Sequence, residues 1–282
     1  LNEVIVLNKA FVLEHFDEVS LWLNSKEFKE KYEDINHPYP PLLNPDKLND
    51  ENYILNYEKI PAEKAWEMNL PLPRRYEFVG FFLHTNGEKA FSKFLSMLDI
   101  YLFFVWGYEA GVRYQNCFNF LLRKDRKCAL VFLDQSMKQA DKFAILMSDA
   151  PLLCLVRDPI DALKSFLNVR DARSNSVRNF TYPKVNFSHL FESIIYVHNE
   201  QAIYNPHSTQ NYPALSAIKA FINPNHWMLD YSLNRSKILP HFKKIIFVDM
   251  REIQGDECYK TMSRLSNIFK LNYPNDIEVF NK

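Results

Sequence analysis

Hydrophobic positions change period several times along the chain. Over residues 1–35 they recur near helical spacing, at Val4, Val6, Leu7, Phe11 and Val12 and again at Trp22 and Phe28, which predicts helix. From His37 to Pro73 prolines fix φ and remove backbone donors, as in His37-Pro38-Tyr39-Pro40-Pro41 and Leu70-Pro71-Leu72-Pro73. This predicts an extended connector wrapped on a body, with one short helix at 62–68. The continuous apolar run Phe78–Leu83 predicts a strand buried on both faces. The polar loop His84-Thr85-Asn86-Gly87-Glu88-Lys89 follows, and residues 90–105 read as a helix. Further strands are predicted at 128–133, 152–156 and 244–249, followed by helices at 140–147, 160–169 and 257–271. Four strand–helix alternations predict an α/β protein with a central parallel sheet and sites at the carboxyl ends of its strands. The segment 170–234, rich in Asn, His and Tyr, breaks the alternation and reads as an insertion carrying substrate loops. Two regions are expected: a helical, proline-rich extension over 1–75, and a nucleotide-binding body over 76–282.

Composition narrows the function classes. With 34 basic and 34 acidic residues the formal net charge is +0, so no global field draws the chain to nucleic acid or an anionic membrane. An anion site must be local. The four cysteines, Cys117, Cys128, Cys154 and Cys258, form no CxxC pair, which suits a reducing cytoplasm. No apolar run approaches the roughly eighteen residues of a membrane span. The eight histidines lack metal-ligand spacing such as His-Glu-x-x-His, so neither metal nor cofactor is expected. The chain begins at Leu1 without a signal-peptide pattern and reads as cut from a longer protein.

Candidate chemistry concentrates after the strand at 152–156. In Arg157-Asp158-Pro159-Ile160-Asp161-Ala162-Leu163-Lys164-Ser165, Pro159 suits the first turn of a helix, which puts Arg157 just before the helix and Ser165 about two turns in. A guanidinium fork can hold two phosphate oxygens, and a serine hydroxyl adds a donor. The structural alternative is that Arg157 merely pairs with a neighbouring carboxylate such as Asp161, capping a helix. The segment resembles the 3'-phosphate-binding motif of the sulfotransferase superfamily, Arg-x-Pro-x-Asp-x-x-x-Ser, through Arg157, Pro159, Asp161 and Ser165. A second, softer likeness is the closing strand, acidic segment and helix, Ile245–Glu252 followed by 259–269. The resemblance covers roughly residues 76–275. It implies a P-loop-like three-layer α/β fold, and Arg157 and Ser165 on a donor phosphate.

The family's loop after its first strand, Pro-Lys-Ser-Gly-Thr-Thr or a relative, is altered here: Gly87 aligns, while the lysine position falls on Thr85. Thr85, Asn86, Gly87 and Lys89 are the candidate donor contacts of that loop. Lys89 can reach donor phosphates beside helix-terminal amides, or can be a solvated first-turn residue. A base must accept the acceptor's proton. In the carbohydrate-modifying branch a Glu about twenty residues past the glycine loop serves, a spacing near which Glu109 falls. The flanking Gly107 and Gly111 suggest that Glu109 lies in a turn. His84 and Asp134 are the other candidates. Within the insertion, His189, His198, His207, His226, Tyr182, Tyr204, Tyr212 and Trp227 suit a sugar-stacking wall, and Arg170, Arg173 and Arg178 form a basic run that closes over the donor or is a solvated face.

The whole chain, including Ile60–Pro73, also looks like bacterial transferases of capsule and surface-polysaccharide clusters, O-methyl phosphoramidate transferases among them. The function so implied is a group transferase. It moves a sulfuryl or O-methyl phosphoramidyl group from a nucleotide co-substrate, 3'-phosphoadenosine-5'-phosphosulfate or a cytidine diphosphate-type donor, to a carbohydrate acceptor. The alternative from another class is a catalytically inactive sulfotransferase-like module that binds polysaccharide or a partner enzyme.

Overall fold

Computed structural coordinates describe residues 1–105, 109–123, 126–133, 139–168, 170–172, 194–196, 218–219 and 238–274. Two compact units emerge, one of residues 1–156 with 233–282 and one of 157–232.

The first unit is built on a sheet whose five strands are all parallel. The apolar runs become β1 (Val79–Phe82), β3 (Cys128–Phe132), β4 (Leu152–Val156) and β7 (Ile245–Asp249). The run Tyr101–Phe104 becomes β2. The order is β2-β3-β1-β4-β7, with Gly80 opposite Val131 on one side and opposite Leu153 on the other. Helices α7 (Glu88–Ser96), α8 (Ala110–Leu122), α9 (Ala140–Leu146) and α11 (Glu257–Phe269) cover it.

The pleat sends alternate side chains to two cores. Val79, Phe81, Leu130, Phe132, Leu152 and Cys154 join α8, α9 and much of residues 1–75 in one. Phe82, Val131, Leu153, Leu155 and Val248 join α7 and α11 in the other. Each large apolar side chain so buried contributes about 1.5–3 kcal/mol. These are the three layers of a P-loop-like α/β fold.

The expected helix over 90–105 is corrected: α7 stops at Ser96, Asp99 takes a positive φ of 57°, and the aromatic run after it pairs with β3 as an edge strand. The long helix over 1–35 is corrected too. Asn8, His15 and Asn24 divide it into α1 (Asn2–Leu7), α2 (Lys9–Glu14) and α3 (Phe16–Leu23), followed by a single turn α4 (Lys26–Phe28) and a π-helical turn to Glu33. Val6 and Leu7, read as part of its apolar face, are exposed.

The proline-rich stretch contains α5 (Pro45–Leu48) and α6 (Ala62–Glu67) and supplies core: Leu42, Ala65, Met68 and Leu70 are all fully buried. Among the described residues no helix is long and apolar enough to cross a membrane.

The second unit holds α10 (Pro159–Leu167) and an antiparallel pair, β5 (Arg170–Ala172) with β6 (Ile194–Tyr196).

Candidate functional site

Strand connections single out one end of β1. After β1 the chain crosses by α7 to the α11 face, whereas after its neighbour β3 it crosses by α9 to the opposite face. In open α/β sheets such a reversal marks the carboxyl ends of the strands as the place where a ligand crevice forms.

The loop in that crevice is held tightly. Asn86 donates its backbone N–H to Leu83 O at 3.2 Å, and Thr85 sits at φ 69°. The Asn86 side chain, 7% exposed, donates from Nδ2 to Leu155 O at 3.4 Å, so its amide ties β1 to β4 instead of facing outward. Gly87, at φ 90°, begins α7, and a Cβ there would overlap the Met250 sulfur. The glycine is thus demanded both by backbone conformation and by the close approach of the chain after β7.

No side chain caps the first turn of α7, which leaves the partial positive charge of its amides at the carboxyl end of β1. Lys89 in that turn is exposed and has no hydrogen-bond or ion-pair partner among the described residues. His84 Nδ1 lies 3.9 Å from Glu88 Oε1, with Glu88 largely buried and His84 more open. At that distance the pair is electrostatic, not hydrogen-bonded. Glu88 was not singled out from sequence, although its i,i+4 spacing from His84 on a loop entering a helix was a usable signal.

Glu109 is the exposed N-cap residue of α8; its backbone O accepts from Arg113 N at 3.1 Å, and its side chain makes no cap bond. Gly111 lies within the first turn of α8, not in a loop, so the expected turn ends at Glu109. The glycine lets the helix pack against the Trp66 indole. Gly107 and Asp134 lie outside the described residues.

In the second unit, Pro159 occupies the first turn of α10 and Asp158 caps it, its carboxylate accepting from Ile160 N at 2.9 Å and Asp161 N at 3.2 Å. Those amides are therefore committed to a carboxylate. Asp161 pairs with Lys164 at 3.2 Å. Arg157 and Ser165 are both half-buried, and the Ser165 hydroxyl has no partner among the described residues. Arg170 begins β5, while Arg173, Arg178 and the aromatic and histidine residues of the expected sugar wall lie outside the described residues.

No family model matches the chain, and no curated protein matches it. Among solved structures it is similar to mouse sulfotransferase SULT7A1 complexed with PAP, at 13% identity and a TM-score of 0.41. That similarity covers 75% of this chain and 64% of the mouse protein, so the chain spans less than two thirds of that protein's length.

Proposed function

We propose that the chain is a nucleotide-donor transferase that moves a small anionic group, sulfuryl or O-methyl phosphoramidyl, onto a sugar hydroxyl of a capsular or other surface polysaccharide. The observation that carries this reading is the local form of Arg157-x-Pro159-x-Asp161-x-x-x-Ser165. Its helix is already capped by Asp158 and its Asp161 is already paired with Lys164. A phosphate would therefore be held by the Arg157 guanidinium and the Ser165 hydroxyl, with the α10 amides uninvolved.

At the crevice after β1, the uncapped start of α7 and Lys89 suit the anionic group in transfer. As the acceptor oxygen bonds to the transferring sulfur or phosphorus, the bond to the donor's bridging oxygen breaks and the nucleotide leaves with that electron pair. The acceptor's proton goes to a base. His84, in the same loop as Gly87 and 3.9 Å from the Glu88 carboxylate, takes this role ahead of Glu109, which stands at the start of α8.

Arg157→Ala should weaken donor binding by roughly one to two orders of magnitude, as loss of a charged hydrogen bond does, in a chain that remains folded. Adenosine 3',5'-bisphosphate and cytidine nucleotides compared by thermal shift then identify the donor class. Nucleotide affinity unchanged by the substitution would remove the phosphate role.

His84→Asn should lower turnover by about 10² to 10⁴ with donor binding retained, and Glu109→Gln should do less. The reverse ordering in steady-state kinetics returns the role to Glu109. The inactive-module reading draws on Thr85, which stands where the family carries its lysine, and predicts binding without donor turnover.

A further inference from the structure

At the opposite, amino-terminal edge of the sheet, the first unit contains a groove of about 510 Å³, a volume suited to a small organic ligand. Its walls come from elements far apart in sequence: the π-helical turn after α4, the His37–Pro41 stretch, and the residues just ahead of β1, β4 and β7.

Hydrogen-bonding capacity in the groove is unevenly spent. Every carboxylate lining it is paired: Glu27 with Lys31 at 2.6 Å, Asp149 with Arg74 at 3.1 Å, and Asp46 with both Arg74 and Lys31. Several donors are not. Among the described residues His241 and Lys243 have no hydrogen-bond or ion-pair partner, and the Tyr32 hydroxyl makes no hydrogen bond. His37 Nδ1 accepts from Tyr39 N at 3.2 Å, so the neutral ring carries its proton on Nε2, which is also unpartnered. What the groove has left to offer is donors and positive charge beside ring and proline surfaces.

We propose that this groove binds a sugar-sized organic oxyanion, a carboxylate or phosphate carried on a saccharide ring, with His37, His241 and Lys243 on the anionic group and Tyr32 along the ring. Burial and the neighbouring His241 hold the His37 imidazole below its ordinary range, and an anion between the two rings relieves that repulsion. Lys31, Arg74, Glu27, Asp46 and Asp149 also line the groove; two cations against three carboxylates leave one net negative charge, which the unpaired Lys243 offsets, so protonation of His37 sets its pH response.

Binding should therefore tighten as pH falls through the imidazole range. The site is separate from the crevice after β1 and does not depend on the transferase reading.

Glucuronate, glucose 6-phosphate, inorganic phosphate and glucose, titrated calorimetrically and followed by the histidine ring resonances, test the proposal. The two sugar acids are expected to bind one to one and to tighten about tenfold from pH 8 to pH 6. Glucose should not bind, and inorganic phosphate should bind at least tenfold more weakly. Lys243→Gln and His241→Gln should each weaken the sugar acids about tenfold, while Arg157→Ala leaves them unaffected. No binding, equal binding of glucose or of inorganic phosphate, or indifference to the Lys243 and His241 substitutions would each overturn the proposal.

Discussion

Lys142 shows how far one side chain can depart from its sequence appearance. In sequence it is a first-turn lysine of α9; in the fold it is 8% exposed, donates to Trp66 O at 2.8 Å and lies 4.3 Å from the Trp66 ring centroid. Burial lowers its ammonium from 10.5 to about 8, against the pull of Glu67. Between these two values the unfolded chain holds a proton that the folded chain has released, so stability rises with pH across the window. The cost, on the order of 3 kcal/mol, is fully present below pH 8. Denaturant unfolding of the wild type and of Lys142→Met should therefore diverge by about 2 kcal/mol between pH 7.5 and 9.5, with the wild type gaining. Parallel pH profiles would mean that Lys142 stays charged in the fold. Neither this lysine nor Glu88 was legible beforehand, because burial and pairing of a charged residue depend on which segment covers it. Trp66, nearly eighty positions earlier in the chain, supplies the cover here. Arg157, Pro159 and Asp161 were legible because a strand end, a cap and a first helical turn are local matters, settled within nine residues.

Elements were read well where an apolar run was long and bounded, as for β1, β3, β4 and β7, and poorly where two short elements shared one apolar surface. β2 was merged with α7 because Phe94, Met97 and Leu98 carry the apolar character into Tyr101–Phe104. The break at Asp99 needs a positive φ on a residue that gives no glycine or proline signal. The mirror case is the junction of β1 and α7, where glycine is present and necessary. Gly87→Ala should cost about 1–2 kcal/mol from the left-handed backbone alone, and more while Met250 occupies the space of the new methyl group. Urea unfolding of Gly87→Ala in the wild-type and Met250→Ala backgrounds separates these contributions. An alanine that costs nothing in either background would show that the loop is free to rearrange. The expected helix over 1–35 failed for a different reason: Asn8, His15 and Asn24 fit a helical pattern by polarity but end helices by conformation.

At the scale of the molecule, the sequence pattern conveyed the parallel sheet and its layers but not how much of residues 1–75 would enter the core beside β1 and β3. Prolines announce an extended path without saying what the path covers. Two features of the sheet bear on how the chain is made. β4 pairs on its outer side with β7, Leu152 opposite Ile245, with all of residues 157–232 between them in the chain. The helix that covers Phe78, Phe82 and Leu153, bringing Phe269 to 4.5 Å from the Phe78 ring, is α11, the last element described. A ribosome therefore releases the α11 half of one face long after the α7 half, and the apolar surface that α11 covers stays bare while the whole second unit is synthesised. Chains stopped at Lys243 should accordingly bind hydrophobic dye, aggregate and be digested at β1 and β4, and a protease-resistant sheet in such chains would show that four strands are sufficient. The demand that this topology places on its cell is temporal: the nascent chain needs protection, by slow-release partners or by rapid synthesis, for the time it takes to translate about ninety residues from β4 to β7.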